Sequence, residues 1–435
     1  MALLFRIHAV VPFRAAALAL LATGALAAPM APPEINTSAR AKLALHGPWP
    51  PVSGPDPNNR VSGRPVAIEF GYRMFREPRM SANGYVACIS CHQTDRAFTD
   101  GIARAQGLAP VDRNTPALAN LRLMHWFGWA GNSDSLWMAS LRPMLDSREF
   151  GSDAARVANV VRVGDGLACR YQRSFGASPT AHTDERVMVN TAKAIAAFVE
   201  TLTTGRTPFD RFRDALARGT GQANEDYPAA ARRGAELFVG KGQCAPCHSG
   251  PNFSDGAFHG VEPRVGVASG RRDAGREQGL ADWRASPYNQ YGRHGDRQAR
   301  ELAARESSEG HAATRGEFRT PSLRNVAVTA PYMHDGSVDT LVEAVGHVAR
   351  DASWGAQGEQ GAESLSSLDK QDLVAFLETL TDAQATARQF PPMQPSTCPQ
   401  AGSPTPRAVS GSGETASIHA RSRTDQAQRR NPGAQ

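Results

Sequence analysis

The chain has 435 residues, of which 41% are hydrophobic and 21% charged, a balance that excludes a wholly disordered or collagen-like polypeptide. Six cysteines are too few to frame a disulfide scaffold of this length. The formal charge of +6 points towards an acidic partner only until it is located. Residues 1–27 read as a secretory signal: Arg6 and Arg14 precede an apolar run, and Ala25-Leu-Ala27 suits a cleavage site. The run from Ala15 to Ala28 is 14 residues, short of the ~20 that a spanning helix needs. No later segment is long and apolar enough to span, so the expectation is export to the periplasm with no membrane span after cleavage. Residues 391–435 are rich in Pro, Ser, Gly, Gln and Arg and read as a disordered tail. Signal and tail together hold five of the six net positive charges, which leaves about +1 on the folding part and no case for nucleic acid.

Between these ends the chain repeats itself once. Gly71-Tyr-Arg-Met-Phe75 answers to Gly234-Ala-Glu-Leu-Phe238, and Cys88-Ile-Ser-Cys-His92 to Cys244-Ala-Pro-Cys-His248. Phe98-Thr-Asp-Gly101 answers to Phe253-Ser-Asp-Gly256, and Thr115-Pro-Ala-Leu-Ala-Asn120 to Thr320-Pro-Ser-Leu-Arg-Asn325. Gly131-Asn-Ser-Asp-Ser-Leu136 pairs with Gly336-Ser-Val-Asp-Thr-Leu341, and Ala197–Thr203 with Ala375–Thr381. Order is kept throughout, which places one domain at 39–220 and a second at 224–390, with a hinge at Gly219-Thr-Gly-Gln-Ala. Residues 256–318 hold an insertion that reads as a long loop with one helix near Asp296–Ser307. Val187, Thr191, Ile195, Phe198 and Leu202 fall at helical spacing, and Ser366 with Asp369 forms a capping box before Leu373–Leu380. Nothing suggests a sizeable sheet, so the fold class is mainly α, with two tandem haem-bearing domains for the following reason.

Each copy carries one Cys-x-x-Cys-His. Two thiols three residues apart reach the two vinyl groups of one porphyrin, and the adjacent His lies beneath the iron. Cys88, Cys91, Cys244 and Cys247 are thus expected to anchor two c-type haems, with His92 and His248 as proximal ligands. A thioredoxin-like pair would want a βαβ context, and zinc would want four converging ligands. Cys169 and Cys398 either pair with each other or stay as separate thiols. For the sixth iron positions, the second copy offers Met333, His334 and His347.

The stretches Cys88–Gly101 and Phe318-Arg-Thr-Pro-Ser-Leu-Arg-Asn-Val-Ala-Val-Thr-Ala-Pro-Tyr-Met-His-Asp-Gly-Ser337 resemble the bacterial di-haem cytochrome c peroxidases and their MauG-like relatives, over nearly all of residues 65–385. The resemblance implies two cytochrome c-like domains and an N-terminal haem that meets hydrogen peroxide. It implies a C-terminal haem that relays electrons and a calcium ion between them, with ligands near Asn114 and from the backbone of Thr320 and Ser322. The implied partners are a small electron-donor cytochrome or cupredoxin, or an oxidised protein substrate, and the family often forms homodimers. Three positions depart from the pattern. Phe127 stands at the Gln position of the peroxide pocket, and Trp137 stands at the position of a Glu that would move protons. The second-ligand position of the C-terminal haem falls on Val348, beside His347, with Met333 as the alternative. His125 is expected as a distal base or ligand, and Trp129 and Trp137, with Trp126, as conductors of oxidising equivalents. Three functions follow: a di-haem peroxidase, a MauG-like oxidase of partner-protein residues, or a non-catalytic electron carrier.

Overall fold

The computed structural model describes residues 35–219, 227–260, 273–296, 315–350 and 365–387, together with Cys398. The signal segment, the hinge after Gly219 and the tail other than Cys398 lie outside the described residues. In chain order the helices are α1 (Thr37–Ala44), α2 (Pro65–Phe75), α3 (Cys88–Cys91), α4 (Leu136–Leu145), α5 (Ala154–Val163) and α6 (Leu167–Phe175). They continue with α7 (Asp184–Val199), α8 (Pro208–Arg218), α9 (Ala229–Val239), α10 (Arg276–Ala285), α11 (Leu341–Arg350) and α12 (Ser367–Glu378). None of the described helices is long and apolar enough to cross a membrane. Two three-residue strands, β1 (Phe258–Gly260) and β2 (Glu317–Arg319), pair antiparallel with Phe258 opposite Arg319.

Local chemistry sets these boundaries. Pro65 opens α2, where its missing N–H costs nothing. Thr183 caps α7 by accepting from Arg186 N, and Asp184 and Glu185 meet the positive end of its dipole. Thr207 with Asp210 starts α8, and Ser366 with Asp369 starts α12, each through a reciprocal capping box.

Two glycines explain how the helices then pack. A Cβ on Gly71 would lie 1.9 Å from the Ala194 carbonyl oxygen, and one on Gly234 would lie 1.9 Å from that of Asp372. Backbone therefore touches backbone where α2 crosses α7 and where α9 crosses α12. Around the first crossing Phe70, Phe75, Leu141, Val161, Tyr171 and Phe198 form one core. Around the second, Phe209, Phe238, Phe253, Phe376 and Leu380 form another. The repeat recurs in the backbone as well. Phe98 and Phe253, Gly101 and Gly256, Asn120 and Asn325, and Gly131 and Gly336 all have positive φ. Asn120 Oδ1 accepts from Thr204 N at 2.9 Å, and Asn325 Oδ1 accepts from Asp382 N at 2.8 Å.

The packing boundary differs from the boundary of the repeat. α1 and α8 fall within the first copy in sequence, yet Leu43, Phe209, Phe212 and Leu216 sit in the second core. Arg324 holds α8 there: it pairs with Asp210 at 2.9 Å with both side chains buried, and its guanidinium lies over Trp49. The helix expected near Asp296–Ser307 lies almost wholly outside the described part of the insertion. The described helix of the insertion is α10, at Arg276–Ala285. Asp296 lies outside any helix, and residues 297–307 of the expected one fall outside the described residues. Cys169 and Cys398 form a disulfide with 5.8 Å between Cα atoms, which ties a point of the C-terminal segment to α6.

The glycine crossings yield a prediction with an informative sign. Gly→Ala inside a helix ordinarily gains about 1 kcal/mol. Gly234→Ala is expected instead to cost about 1–3 kcal/mol through overpacking. Urea unfolding followed by circular dichroism measures it, and an unchanged or raised midpoint would refute the close approach.

Candidate functional site

Each Cys-x-x-Cys-His motif forms a single turn followed by a tight loop. His92 N donates to Cys88 O at 3.0 Å, and His248 N to Cys244 O at 2.9 Å. The chain then doubles back through a left-handed phenylalanine, so that Phe98 O lies 3.0 Å from His92 Nδ1 and Phe253 O lies 3.0 Å from His248 Nδ1. A carbonyl only accepts. Nδ1 therefore carries the proton in both rings, and Nε2 keeps its lone pair for a metal. Burial holds both imidazoles below their ordinary pKa, in the neutral form that ligates.

The four motif cysteines form no disulfide. Burial pushes Cys88 and Cys244 up to about 12 and Cys91 up to about 11. At these three cysteines, surroundings that disfavour thiolates suit a neutral thioether sulfur better than a thiolate zinc ligand. Arg319 adds a third sign of fit. It is buried, donates among the described residues to the carbonyls of Gly128 and Thr320, and has a pKa lowered to about 10 by desolvation. A buried guanidinium with no carboxylate partner among the described residues suits a group that brings its own carboxylates, as haem does. His92 and His248 would hold iron, and the four cysteines would hold the porphyrin edges.

The remaining sequence-predicted residues fall into separate neighbourhoods. Trp129 donates from Nε1 to Asn114 O at 2.8 Å, and Arg319 N donates to Trp129 O at 2.8 Å, so Asn114, Trp129, Arg319 and Thr320 adjoin at the contact between the repeats. Thr320 O already accepts from Ser254 Oγ at 2.7 Å and lies 3.4 Å from Arg319 Nη1, while Ser322 Oγ turns to Asn252. Trp137 is fully buried on α4. Its Nε1 has no acceptor among the described residues, and Lys193 Nζ lies 5.1 Å above its ring. Lys193 is itself buried and pairs with Asp296 at 2.8 Å. Trp126 lies under Arg276, 4.0 Å from the guanidinium. His125 is exposed and joins none of these groups. Met333 is half-buried with φ of 73°, His347 is half-buried on α11, and Val348 is 47% exposed.

Sequence reasoning missed Arg319, Arg276, Lys193 and Glu149. Arg319 lies inside the quoted Phe318-Arg-Thr-Pro stretch, but nothing in that string announces a buried charge. The others signal only through tertiary burial. Glu149 adjoins the first motif, where its charge bears on Cys88 and Cys91, and burial raises its pKa to about 7.

The family described as di-haem cytochrome c peroxidase matches residues 65–217. A methylamine utilization protein MauG of Methylorubrum extorquens is 30% identical over 334 residues, which are 75% of this chain and 82% of that protein. The cytochrome-c peroxidase IdrP2 of Denitromonas iodatirespirans is 30% identical over 346 residues, or 77% and 87% of the two chains. Among solved structures, the diheme peroxidase BthA of Burkholderia thailandensis shares the fold at a TM-score of 0.58, with 22% identity and coverage of 77% and 88%. A MauG-like protein associated with microbial copper homeostasis aligns at 0.53 with 26% identity, over 78% and 97%.

Glu149 gives a pH prediction. Its folded pKa of about 7 lies above the ordinary ~4.3 of an unfolded glutamate, so the folded state binds more protons between those values. Its contribution to stability therefore falls as pH rises from about 4.3 to 7. Glu149→Gln is expected to remove that slope and to raise the urea midpoint at pH 8. An unchanged pH profile would remove the buried carboxyl from the account.

Proposed function

The chain belongs to the family of di-haem cytochrome c peroxidases and MauG proteins and is a peroxidase-like oxidoreductase with two c-type haems, and from that premise we propose a periplasmic enzyme that takes hydrogen peroxide at the His92 side and passes electrons through the His248 side. The observation that carries this reading is the pair of histidine loops, each presenting a neutral imidazole with its Nε2 lone pair free for iron. Haem bound there supplies the redox chemistry with peroxide. The protein's part is to fix each imidazole through its backbone carbonyl, to keep it neutral, and to control protons around it.

Proton control is where this chain differs from a peroxide-detoxifying enzyme. General acid–base help is worth typically 10²–10⁴-fold. Trp137 can donate a hydrogen bond from Nε1 but cannot shuttle a proton as a carboxylate does. Lys193 above its ring adds positive charge in place of a base. This favours a second reading for the same site, oxidation of residues on a partner protein, with Trp126 and Trp129 at the contact between the repeats. His347 is the proposed second ligand on the His248 side, with Met333 as its alternative. A small cytochrome or cupredoxin is the proposed donor where peroxide is simply reduced.

The test is electron paramagnetic resonance of the oxidised holoprotein. One high-spin and one low-spin ferric signal are expected, the former changing on addition of peroxide. Two low-spin ferric signals and no high-spin signal in the oxidised protein, unchanged by peroxide, would overturn the reading in favour of an electron carrier. Steady-state peroxide turnover with a small cytochrome is expected roughly 10²-fold below that of a relative with the carboxylate.

A further inference from the structure

Away from the histidine loops, one cleft gathers cations that the proposed reaction leaves largely unused. It lies where the first half of α7 meets the loop before α2 and the stretch after α10, and its volume is about 120 Å³. Asn190 and Lys193 form its buried floor, and Arg60, Arg186 and Arg293 form its exposed rim. A water needs roughly 10–15 Å³ of such space, and sites for drug-sized ligands offer ~300–1,000 Å³. The cleft therefore suits a small ion of a few oxygen atoms.

Its positive charge is only half matched. Lys193 pairs with Asp296 at 2.8 Å, and Arg293 pairs with Glu185. Arg60 and Arg186 have no carboxylate partner for their guanidinium groups among the described residues. Arg60 instead donates from Nη2 to Asn190 Oδ1 at 3.1 Å and lies over the Phe175 ring. Burial lowers the Lys193 pKa, Asp296 opposes this, and Arg60 and Arg186 lower it further. Gathering these like charges costs free energy, which a bound anion offsets. A buried nitrogen gives a second, separate indication. The His294 side chain is 7% exposed, and its Nδ1 is buried with no partner among the described residues. Buried polar atoms of native proteins nearly always have one. His294 Nε2 sits between Arg293 Nε at 3.1 Å, a donor, and Glu185 Oε1 at 3.2 Å, an acceptor. The tautomer that accepts from Arg293 and the imidazolium both carry a proton on Nδ1, which an oxyanion in the cleft would accept.

We propose that this cleft binds a small oxyanion of two negative charges, of the phosphate or sulfate class, through the guanidinium groups of Arg60 and Arg186 with His294 beside them. A guanidinium fork meets two oxygens at once, which favours an oxyanion over a halide. The walls are fixed before the ion arrives. Asn190 Oδ1 holds Arg60 while its Nδ2 donates to the Tyr171 hydroxyl at 2.6 Å. Lys193 Nζ donates to His294 O at 2.9 Å, and Arg60 N donates to Asp296 Oδ2 at 2.8 Å. The three chain segments around the cleft are thus tied to one another, so little ordering remains for the ligand to impose. Binding here calls on no haem chemistry and stands apart from the peroxide reading.

The test is isothermal titration calorimetry of the oxidised holoprotein with sodium phosphate and with sodium sulfate, at an ionic strength held constant with chloride. One saturable site per chain is expected, for which the two ions compete. Arg60→Gln and Arg186→Gln are each expected to weaken it roughly tenfold or more, as loss of a charge-assisted hydrogen bond does. Both side chains are exposed, so circular dichroism and the haem absorption bands should stay unchanged. Arg211→Gln, which removes an exposed cation of α8, should bind as wild type does. A second measurement is the urea midpoint, which phosphate should raise above chloride of equal ionic strength in wild type and not in Arg186→Gln. Absence of a saturable site for either ion overturns the proposal. Equal binding by the Arg60→Gln/Arg186→Gln double variant overturns it too, and so does an equal response to chloride, which marks ionic screening alone.

Discussion

The hydrogen bond from a histidine Nδ1 to the carbonyl of a left-handed phenylalanine, made once in each repeat, governs much of the rest. It requires the chain to reverse within six residues after His92 and within five after His248. That reversal forces positive φ at Phe98 and Phe253, a conformation that costs a non-glycine residue of order 1–3 kcal/mol. The cost is offset by burying both rings almost completely: Phe98 joins the first core, and Phe253 packs between Phe209, Phe238 and Phe376 in the second. The residue that shapes the metal-binding loop is thus also a core residue, so loop geometry and domain stability are coupled. In return the imidazole has one tautomer and one orientation, with Nε2 pointing away from its own backbone.

The same unit is built twice, but the two copies are not equally self-sufficient. The first core is large and closes around α2, α4, α5, α6 and α7. Among the described residues the second draws α9, α11 and α12 from its own copy, and it recruits α1 and α8 from before the repeat boundary. The Arg324–Asp210 pair carries part of that recruitment. Removing one partner of a fully buried ion pair typically costs about 3–5 kcal/mol, because the other charge stays buried and alone. The two units are therefore joined by exchanged helices as well as by the loops around Asn114, Trp129 and Arg319.

What the sequence revealed follows a physical division. Repeated motifs, helix caps and short-range spacing are written locally, so Cys88–His92, Cys244–His248, the Ser366–Asp369 box and the helix around Ile195 were all legible. Gly71 and Gly234 stood in aligned positions, and the structure supplies the reason in the two backbone contacts. Cys169 and Cys398 could not be paired from sequence, since 229 residues separate them and only the fold brings them together. The surroundings of the site were mostly illegible for the same cause. His125 gave a strong local signal and lies exposed, while Arg319, Lys193 and Asp134 gave none and are buried. Exchange of α1 and α8 was hidden because a sequence repeat records descent, not packing.

The distribution of charge around the tryptophans then bears on chemistry. Lys193 over Trp137 and Arg276 over Trp126 put cations on two rings that sequence alone would treat as equivalent conductors. A cation makes loss of an electron from an indole harder, and a hydrogen-bonded carboxylate such as Asp134 on Trp283 makes it easier. Trp137 Nε1 meets no acceptor among the described residues, whereas the Asp134 carboxylate holds the Nε1–H of Trp283 on α10. Ring for ring, then, the surroundings differ although the residue type is the same: Trp126 and Trp137 face cations, and Trp283 faces a carboxylate.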